Sequence, residues 1–295
     1  MSILSKTNAM KINTYLPDKH KYLQMTATIA KSPLILHVSG TLPVKRTITV
    51  AIVGTRNPTQ YGTQVTCEIA DTLARKGVVI VSGLAYGIDA AAHTAALEAN
   101  GTTIAVLAHG LDQMYPRGHE QLAKRITEQG GALITEYATG TGIRKHHFLE
   151  RNRLVSGLAD AVVVVEAGER SGTLSTVMHA LEQGKDVFAV PGNITSPQSI
   201  GPNRLIQQGA HPVLSANDIL TVVAPHLISQ SRAAPTGTSP EESLLIQLII
   251  NGVREAEALQ TASGLSASIF MQTLTMLEIQ GVIYSPHSNY WTVKE

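Results

Sequence analysis

Residues 49–56 read TVAIVGTR, a short apolar run that ends in a glycine-containing turn. The same arrangement, an apolar run followed by a loop and then a helical stretch, recurs along the chain to about residue 223. Val and Ile dominate several of these runs, as strands covered by helices on both faces require. The predicted strands are residues 49–54, 78–83, 102–108, 132–137, 160–167, 186–192 and 211–215.

Repeated strand–helix units of this length predict an α/β fold with a parallel, right-handed, doubly wound sheet. Ligands bind to such sheets at the carboxyl ends of the strands. Three loops that follow predicted strands are rich in glycine, namely residues 54–56, 82–87 and 167–173. None of them matches the G-x-G-x-x-G or Walker A pattern, which disfavours a standard dinucleotide or P-loop NTPase site.

The remaining sequence predicts three further regions around a sheet domain at residues 47–227. Residues 1–46 form a basic N-terminal extension, in which residues 32–36 suggest an approach strand. Residues 228–243 are small, polar and interrupted by two prolines, which is typical of a linker. Residues 244–295 predict helices at 244–250, 255–261 and 266–279 and a hairpin of 282–284 with 290–293, the element order of a winged helix.

The charge is close to neutral overall and unevenly distributed. The 295 residues hold 23 Lys and Arg against 22 Asp and Glu, and 43% of them are hydrophobic, enough for a sizeable core. This composition excludes a disordered chain and a uniformly basic nucleic-acid binder. The net charge is +6 for residues 1–46, −2 for 47–227 and −3 for 228–295, so a local basic site is compatible with the total.

Cysteine and histidine usage predicts neither a metal nor a cofactor. The single Cys67 excludes an internal disulfide and a Cys-rich zinc site. The histidines include one adjacent pair, His146 and His147, and no His-x-x-x-His on a predicted helix. No apolar run approaches the ~20 residues of a membrane span, and residues 1–30 lack a signal-peptide core, so we expect a cytoplasmic protein without membrane contact.

Two turns are candidate anion sites. In residues 54–56 the glycine allows close approach of a ligand, and Arg56 can grip a phosphate bidentately. The alternative there is an ordinary strand–helix turn with a solvated Arg. Residues 171–173, Ser-Gly-Thr, precede a predicted helix at 174–183, where exposed amides and hydroxyls suit an anion and a helix cap about equally well.

The sharpest local signal is RKHHFLERNR at residues 144–153. It holds four basic side chains, two His, one Glu and Phe148. A basic cluster with an interleaved aromatic suits single-stranded nucleic acid, because it combines phosphate neutralisation with base stacking. The alternative is a solvated helix start with Phe148 in the core.

Asp89 and His93 are four residues apart on one predicted helix and are a candidate acid/base pair. The commoner arrangement is an N-terminal Asp that stabilises its helix with a His packed beneath it, and we favour that interpretation.

Several segments, taken in order and spacing, resemble the DprA/Smf family (DNA-processing protein A) over about residues 30–220. They are VAIVGTR at 50–56, SGLAYGID at 82–89, YP at 115–116, FLERNR at 148–153, VEA at 165–167, SGT at 171–173, PG at 191–192, GPN at 201–203 and GA at 209–210.

The resemblance implies an extended Rossmann-like domain that binds single-stranded DNA and is not an enzyme. It further implies a homodimer that protects incoming strands during natural transformation and helps to load the recombinase RecA. The DNA-binding residues that it implies are Gly54, Thr55, Arg56, Tyr86, Gly87, Lys145, Phe148, Arg151, Asn152, Arg153, Ser171, Gly172 and Thr173.

The sequence departs from the family pattern in three places. Tyr86 stands at a variable position that is often basic in relatives, and would stack on a base instead of holding a phosphate. Leu149 stands where relatives usually have Pro. The N-terminal helical domain of many members does not fit into 46 residues, so we expect it to be absent.

The C-terminal module is similar to the small winged-helix domain of some members. Its candidate recognition helix, 266–279, contains no Lys or Arg. We therefore expect this module to contact protein, or its own partner subunit, rather than DNA.

Two other functions fit a similar fold. Nucleoside-monophosphate phosphoribohydrolases share comparable turns, but Thr176 stands where their catalytic Glu would be, so the acid/base group is missing. A small-nucleotide sensor would use the same anion loops, with the C-terminal module as its output.

Overall fold

The structure is a computed structural model that describes residues 11–228, 237–287 and 289–293. The chain divides into two compact units, Met1–Ile228 and Ser229–Glu295. The sequence prediction placed the end of the sheet domain at residue 227 and the start of a linker at residue 228.

The described part of the first unit contains a nine-stranded sheet in the order β1-β2-β6-β5-β4-β3-β7-β8-β9. The strands are β1 Ile12–Tyr15, β2 Leu36–Gly40, β3 Thr49–Val53, β4 Val79–Ser82, β5 Thr103–Val106, β6 Ala132–Thr135, β7 Ala161–Val164, β8 Asp186–Ala189 and β9 His211–Pro212. All pairings from β3 to β9 are parallel. The predicted doubly wound α/β fold is confirmed, with the strand order reversing beside β3.

Helices cover both faces of this sheet. They are α1 Gln60–Arg75, α2 Ile88–Glu98, α3 Glu120–Glu128, α4 Lys145–Leu158, α5 Thr173–Glu182, α6 Ile200–Gln207, α7 Ala216–Val223 and α8 Pro225–Ile228. Alternate residues of β3 point to opposite faces. Ala51 and Val53 pack in a core with α4 and α5, whereas Val50 and Ile52 pack in a second core with α1 and α2.

The sheet begins before the predicted domain start at residue 47. β1 pairs antiparallel with β2, which pairs antiparallel with β6, so both belong to the sheet and not to an extension outside it. Leu36 and Val38 are buried in the core, and the fully buried Tyr22 hydroxyl lies 2.9 Å from Thr49 Oγ1. The strand in this region is β2, Leu36–Gly40, so the strand expected at 32–36 was placed too early: residues 32–35 are not in a strand, and Leu34 is 87% exposed. Residues 1–10 of the predicted extension lie outside the described residues.

The second unit has the predicted order of elements. Helices α9 Pro240–Ile250, α10 Ala256–Ser263 and α11 Ala267–Ile279 precede the antiparallel strands β10 Ile283–His287 and β11 Tyr290–Val293. Its core includes Leu245, Leu259 and Phe270. α9 begins earlier than predicted because the side chain of Ser239 accepts a hydrogen bond from the Glu242 amide and caps the helix, so only part of residues 228–243 is a connection. Residues 229–236 of the predicted linker lie outside the described residues.

Among the described residues, no helix combines the length and apolar character that crossing a lipid bilayer requires.

Candidate nucleic-acid interface

A cavity of about 570 Å³ lies at the carboxyl ends of the central strands of the first unit. Its size is that of a pocket for a small ligand or for part of a polymer. Ten of the thirteen predicted DNA-binding residues line it: Gly54, Thr55, Arg56, Lys145, Phe148, Arg151, Asn152, Ser171, Gly172 and Thr173. Loops that are far apart in sequence thus converge on one site, as the parallel sheet predicts.

The turn after β3 is held rigidly at the edge of the cavity. The Thr55 amide donates to the Glu166 carbonyl at 2.7 Å, and Thr173 Oγ1 donates to the Gly54 carbonyl at 3.0 Å. A Cβ at residue 54 would collide with the side chain of Ile88, so the approach of α2 requires glycine here. The anchored turn leaves the Arg56 side chain exposed.

Two aromatic rings and two exposed cations lie next to each other at the cavity. The Phe148 ring contacts the Tyr115 ring edge-on, with centroids 5.6 Å apart. The guanidinium carbon of Arg56 lies 5.7 Å from the Phe148 centroid, within the range of a cation–π contact. Lys145, in the first turn of α4, is exposed at the same cavity. The site therefore offers flat apolar surface and positive charge together.

Arg151 was predicted to line the DNA site; it lines the cavity but is only 4% exposed, so little of its guanidinium is free to meet a phosphate. Its Nη1 donates to the Val106 carbonyl at 2.5 Å, and a Cβ at residue 83 would overlap its guanidinium. Burial lowers the pKa of Arg151, and attraction to Asp89 opposes that shift. Arg151 therefore fixes the ends of β4 and β5 relative to α4.

Asp89 completes this buried arrangement. Its Oδ2 accepts hydrogen bonds from the amides of Gly83 and Ala85, at 3.1 and 3.3 Å. Burial raises the pKa of Asp89, while the Arg151 guanidinium and the loop amides oppose the rise. The carboxylate thus shapes the loop after β4.

His93 is also structural. It is fully buried, and its Nδ1 lies 2.6 Å from Thr103 Oγ1. Burial lowers the pKa of His93 to about 3, so the ring is neutral near pH 7. With Asp89 bound to loop amides, the structural interpretation of these two residues is the one that the geometry supports.

Arg153 does not line the cavity. Its Nη2 forms an ion pair of 2.6 Å with Glu136 Oε2, and both side chains are largely buried. Residues two apart on a helix point in different directions, so Arg151 and Arg153 meet different surroundings. Sequence alone grouped them because they are close along the chain.

The Ser-Gly-Thr turn leads into α5 and lies beside Asn152. The Thr173 amide donates to Ser171 Oγ at 3.2 Å within the turn, but the N-cap residue is Gly172 and no side chain caps the helix, so the capping alternative is not what the structure shows. Asn152 Nδ2 donates to Ser175 Oγ at 2.8 Å and more weakly to the Gly172 carbonyl. Residues 171–173 and Asn152 also line the cavity, so this turn is placed to contact a ligand.

Tyr86 and Gly87 lie outside the cavity lining. Tyr86 is 51% exposed and packs edge-on against His119, with centroids 4.7 Å apart. Gly87 has φ +79°, and a Cβ there would collide with the backbone of Thr55 and Arg56. Gly87 therefore shapes the turn after β3 without lining the cavity.

Comparison with known proteins identifies the family. A family model described as DNA recombination-mediator protein A matches residues 13–224. The chain belongs to this family. The match covers the first unit almost entirely, whereas the second unit lies outside it.

Members of the DNA recombination-mediator family from several bacteria are similar to the chain. DNA processing protein DprA of Bacillus subtilis is 43% identical over 218 residues, 74% of this chain and 73% of that protein. Protein Smf of Escherichia coli is 47% identical over 203 residues, 69% of this chain, and the chain spans 54% of its length.

Two solved family structures share the fold. DprA from Streptococcus pneumoniae has a TM-score of 0.66 and 38% identity, covering 73% of this chain and 75% of that chain. DprA from Helicobacter pylori, described by its single-stranded DNA binding mode, has a TM-score of 0.64 and 30% identity, covering 74% and 98%.

Family resemblance did not single out all the residues that form the cavity. Tyr115 lines the cavity and lies in the Tyr-Pro motif at 115–116, which was the available signal, but it was not predicted as a site residue. Ala85 and Leu149, which lie in motifs of the family resemblance, also line the cavity, as does Ile143, which lies in none of them. Thr176 lines it too and is 2% exposed.

Proposed function

We propose that this chain binds single-stranded DNA in the cavity and acts as a non-catalytic recombination mediator. The observation that carries the proposal is the contact of Arg56 with Phe148, beside Tyr115 and the exposed Lys145. This arrangement supplies both interactions that single strands need, stacking for bases and cations for phosphates. The single-stranded DNA binding described for the Helicobacter pylori relative supports it.

Charge removal at the cavity tests this proposal. Arg56→Ala and Lys145→Ala should each weaken binding to a fluorescent oligonucleotide and reduce the salt slope by about one phosphate contact. Arg75→Ala is the matched control, because Arg75 is an exposed cation on α1 that pairs with Asp71. If both cavity variants bind with wild-type affinity while retaining their fold, the site assignment is wrong.

A nucleotide sensor is the second candidate, because a cavity of about 570 Å³ is large enough for one nucleotide. Competition separates the two functions. A mononucleotide that displaces an oligonucleotide at micromolar concentration favours the sensor, whereas failure at millimolar concentration favours the polymer. Release of free base from the nucleotide would instead indicate the phosphoribohydrolase-like enzyme, despite Thr176 in place of the acid/base carboxylate.

The proposed cellular role is to protect incoming strands during natural transformation and to help load RecA, as a homodimer. Residues 200–220 are the proposed dimer face, and Leu214 within them is 85% exposed. Sedimentation of the full chain tests the dimer: Leu214→Glu should shift the protein toward monomer. A sedimentation profile unchanged by the substitution would remove this segment from the dimer face.

We further propose that the second unit is a winged-helix-like module that contacts protein. On α11 the exposed apolar side chains of Ile269, Met276 and Ile279 lie along one side of the helix, which carries no Lys or Arg and one acidic residue, Glu278. Such an apolar face without cations suits a protein surface better than a phosphate backbone.

A further inference from the structure

The first two turns of α4 bring together a set of metal-ligating groups. His146, His147 and Glu150 each offer one ligand atom, and these three atoms lie within 4.8 Å of one another. Two imidazoles and a carboxylate, with a fourth position left open, are a donor set found in zinc proteins. We propose that these residues bind one transition-metal ion of the zinc class beside the cavity.

Helix geometry makes the three side chains neighbours. Glu150 follows His146 by four residues and His147 by three, the spacings at which helical side chains meet. Zinc–ligand bonds of about 2.0–2.2 Å require the donor atoms to lie closer than they do. His146 and Glu150 are exposed, so rotation of their side chains can bring the atoms together around the more rigid His147.

The surroundings of His147 give an independent reason for a ligand. Its side chain is 6% exposed, yet its Nδ1 is buried without a hydrogen-bond partner among the described residues. The ring stacks on Tyr137, with centroids 4.1 Å apart and planes at 24°. A buried polar atom without a partner is costly, and coordination at Nδ1 would supply the partner.

Tyr137 also orients the carboxylate. Its hydroxyl donates to Glu150 Oε2 at 3.0 Å, which leaves Oε1 for another contact. Metal ligands in proteins are commonly held by hydrogen bonds of this kind. Tyr137 therefore positions two of the three ligands, one by stacking and one by a hydrogen bond.

The electrostatic setting selects the class of metal. Arg144 and Lys145 are exposed beside the cluster, and the start of a helix carries partial positive charge. An ion held chiefly by charge and several oxygen ligands, such as Mg²⁺ or Ca²⁺, is disfavoured there. Zn²⁺ and Co²⁺ carry the same charge but bind imidazole nitrogen well, so the two histidines favour them over ions that prefer oxygen ligands.

The cluster lies on the same turns of α4 as Lys145 and Phe148, which line the cavity. An ion with an open coordination position adds positive charge there and can accept a phosphate oxygen. We therefore expect zinc to strengthen DNA binding. This consequence rests on the proposed function, whereas metal binding itself does not.

Calorimetric titration of Zn²⁺ into the tag-free full chain tests the metal site. We expect one tight site per chain and no binding heat with Mg²⁺. His146→Ala and Glu150→Gln should each weaken zinc at least ~10-fold. His226→Ala should leave it unchanged, because His226 is an exposed histidine outside the cluster. Absence of stoichiometric zinc binding, or wild-type affinity in both cluster variants, would overturn the proposal.

Oligonucleotide binding with and without Zn²⁺ tests the coupling. The wild-type chain should bind several-fold more tightly with zinc, and His146→Ala should lose that gain. Equal affinity of the wild type under both conditions would overturn the coupling. If the wild type binds no single strand at all, the proposed function fails, and the calorimetric titration still decides the metal site.

Discussion

At the scale of single residues, Phe148 lies where the aromatic surface of the cavity adjoins its positive charge. Its ring lies against Tyr115 on one side and within 5.7 Å of the Arg56 guanidinium carbon. It is half-buried, so part of the ring remains accessible to a ligand. A base that stacks there brings its phosphates close to the exposed cations.

Truncation of this ring measures its contribution. Phe148→Ala should reduce single-strand affinity by about 1–3 kcal/mol, the loss of one base–aromatic stack. Phe148→Trp should retain most of the affinity, since a flat ring is preserved. Tyr284→Ala is the control, because Tyr284 is an exposed aromatic of the second unit. Fluorescence anisotropy gives the affinities, and a Phe148→Ala protein with full affinity would exclude stacking at this position.

His93 makes the stability of the first unit depend on pH. Burial lowers its pKa to about 3, whereas an exposed histidine in the unfolded chain titrates near 6.5. The unfolded chain therefore takes up the proton first as pH falls. The free energy of unfolding should decrease between about pH 6.5 and 3, by up to about 1.4 kcal/mol per unit from this group.

Urea unfolding at pH 7 and pH 5 isolates this contribution. His93→Gln should lower stability at pH 7 and show a smaller decrease toward pH 5 than the wild type. The same decrease in both proteins would show that His93 is not the titrating group.

At the scale of elements, strands were easier to predict than the exposure of side chains on a helix. The runs that became β3, β4, β5 and β7 are buried at every position, so their apolar character was visible in the sequence. β1 was missed because its INTY sequence is mostly polar and lies at the edge of the sheet. Edge strands need less apolar sequence than central ones.

For α4, the sequence did not decide which basic side chains are exposed. Its basic residues form one motif along the chain, but Lys145 is exposed, Arg151 is anchored under Gly83, and Arg153 is paired with Glu136 on the loop after β6. Which side of a helix meets the core depends on partners distant in sequence. The strand ends therefore predicted where the candidate site lies. The sequence could not predict which of the cations on α4 would be exposed and which would be buried or paired.

The ion pair of Arg153 and Glu136 is predicted to stabilise the fold. Arg153→Ala should lower the free energy of unfolding by about 3 kcal/mol, because it leaves a largely buried carboxylate without its partner. Arg153→Met combined with Glu136→Gln should recover part of the loss. The folded single variant should still bind single strands. If the Arg153→Ala protein keeps its stability but loses DNA affinity, Arg153 contacts DNA and the structural role proposed here is wrong.

At the scale of the whole molecule, the charge distribution favours the first unit as the site of the proposed DNA binding. Residues 47–227 are slightly acidic in total, yet Arg56 and Lys145 are exposed at one cavity. The order of elements in the second unit, three helices and a hairpin, suggests recognition of duplex DNA. The net charge of −3 over residues 228–295 opposes binding to a phosphate backbone. Near-neutrality of the chain is thus compatible with DNA binding at a focused site.

The most direct test compares affinities for single-stranded and duplex oligonucleotides of equal length across a range of salt concentrations. The full chain and residues 1–228 are measured side by side. We predict tighter binding of the single strand, a fall in affinity as salt increases, and no loss of duplex affinity when the second unit is removed. Duplex binding as tight as single-strand binding, or duplex affinity that disappears with the second unit, would contradict the account.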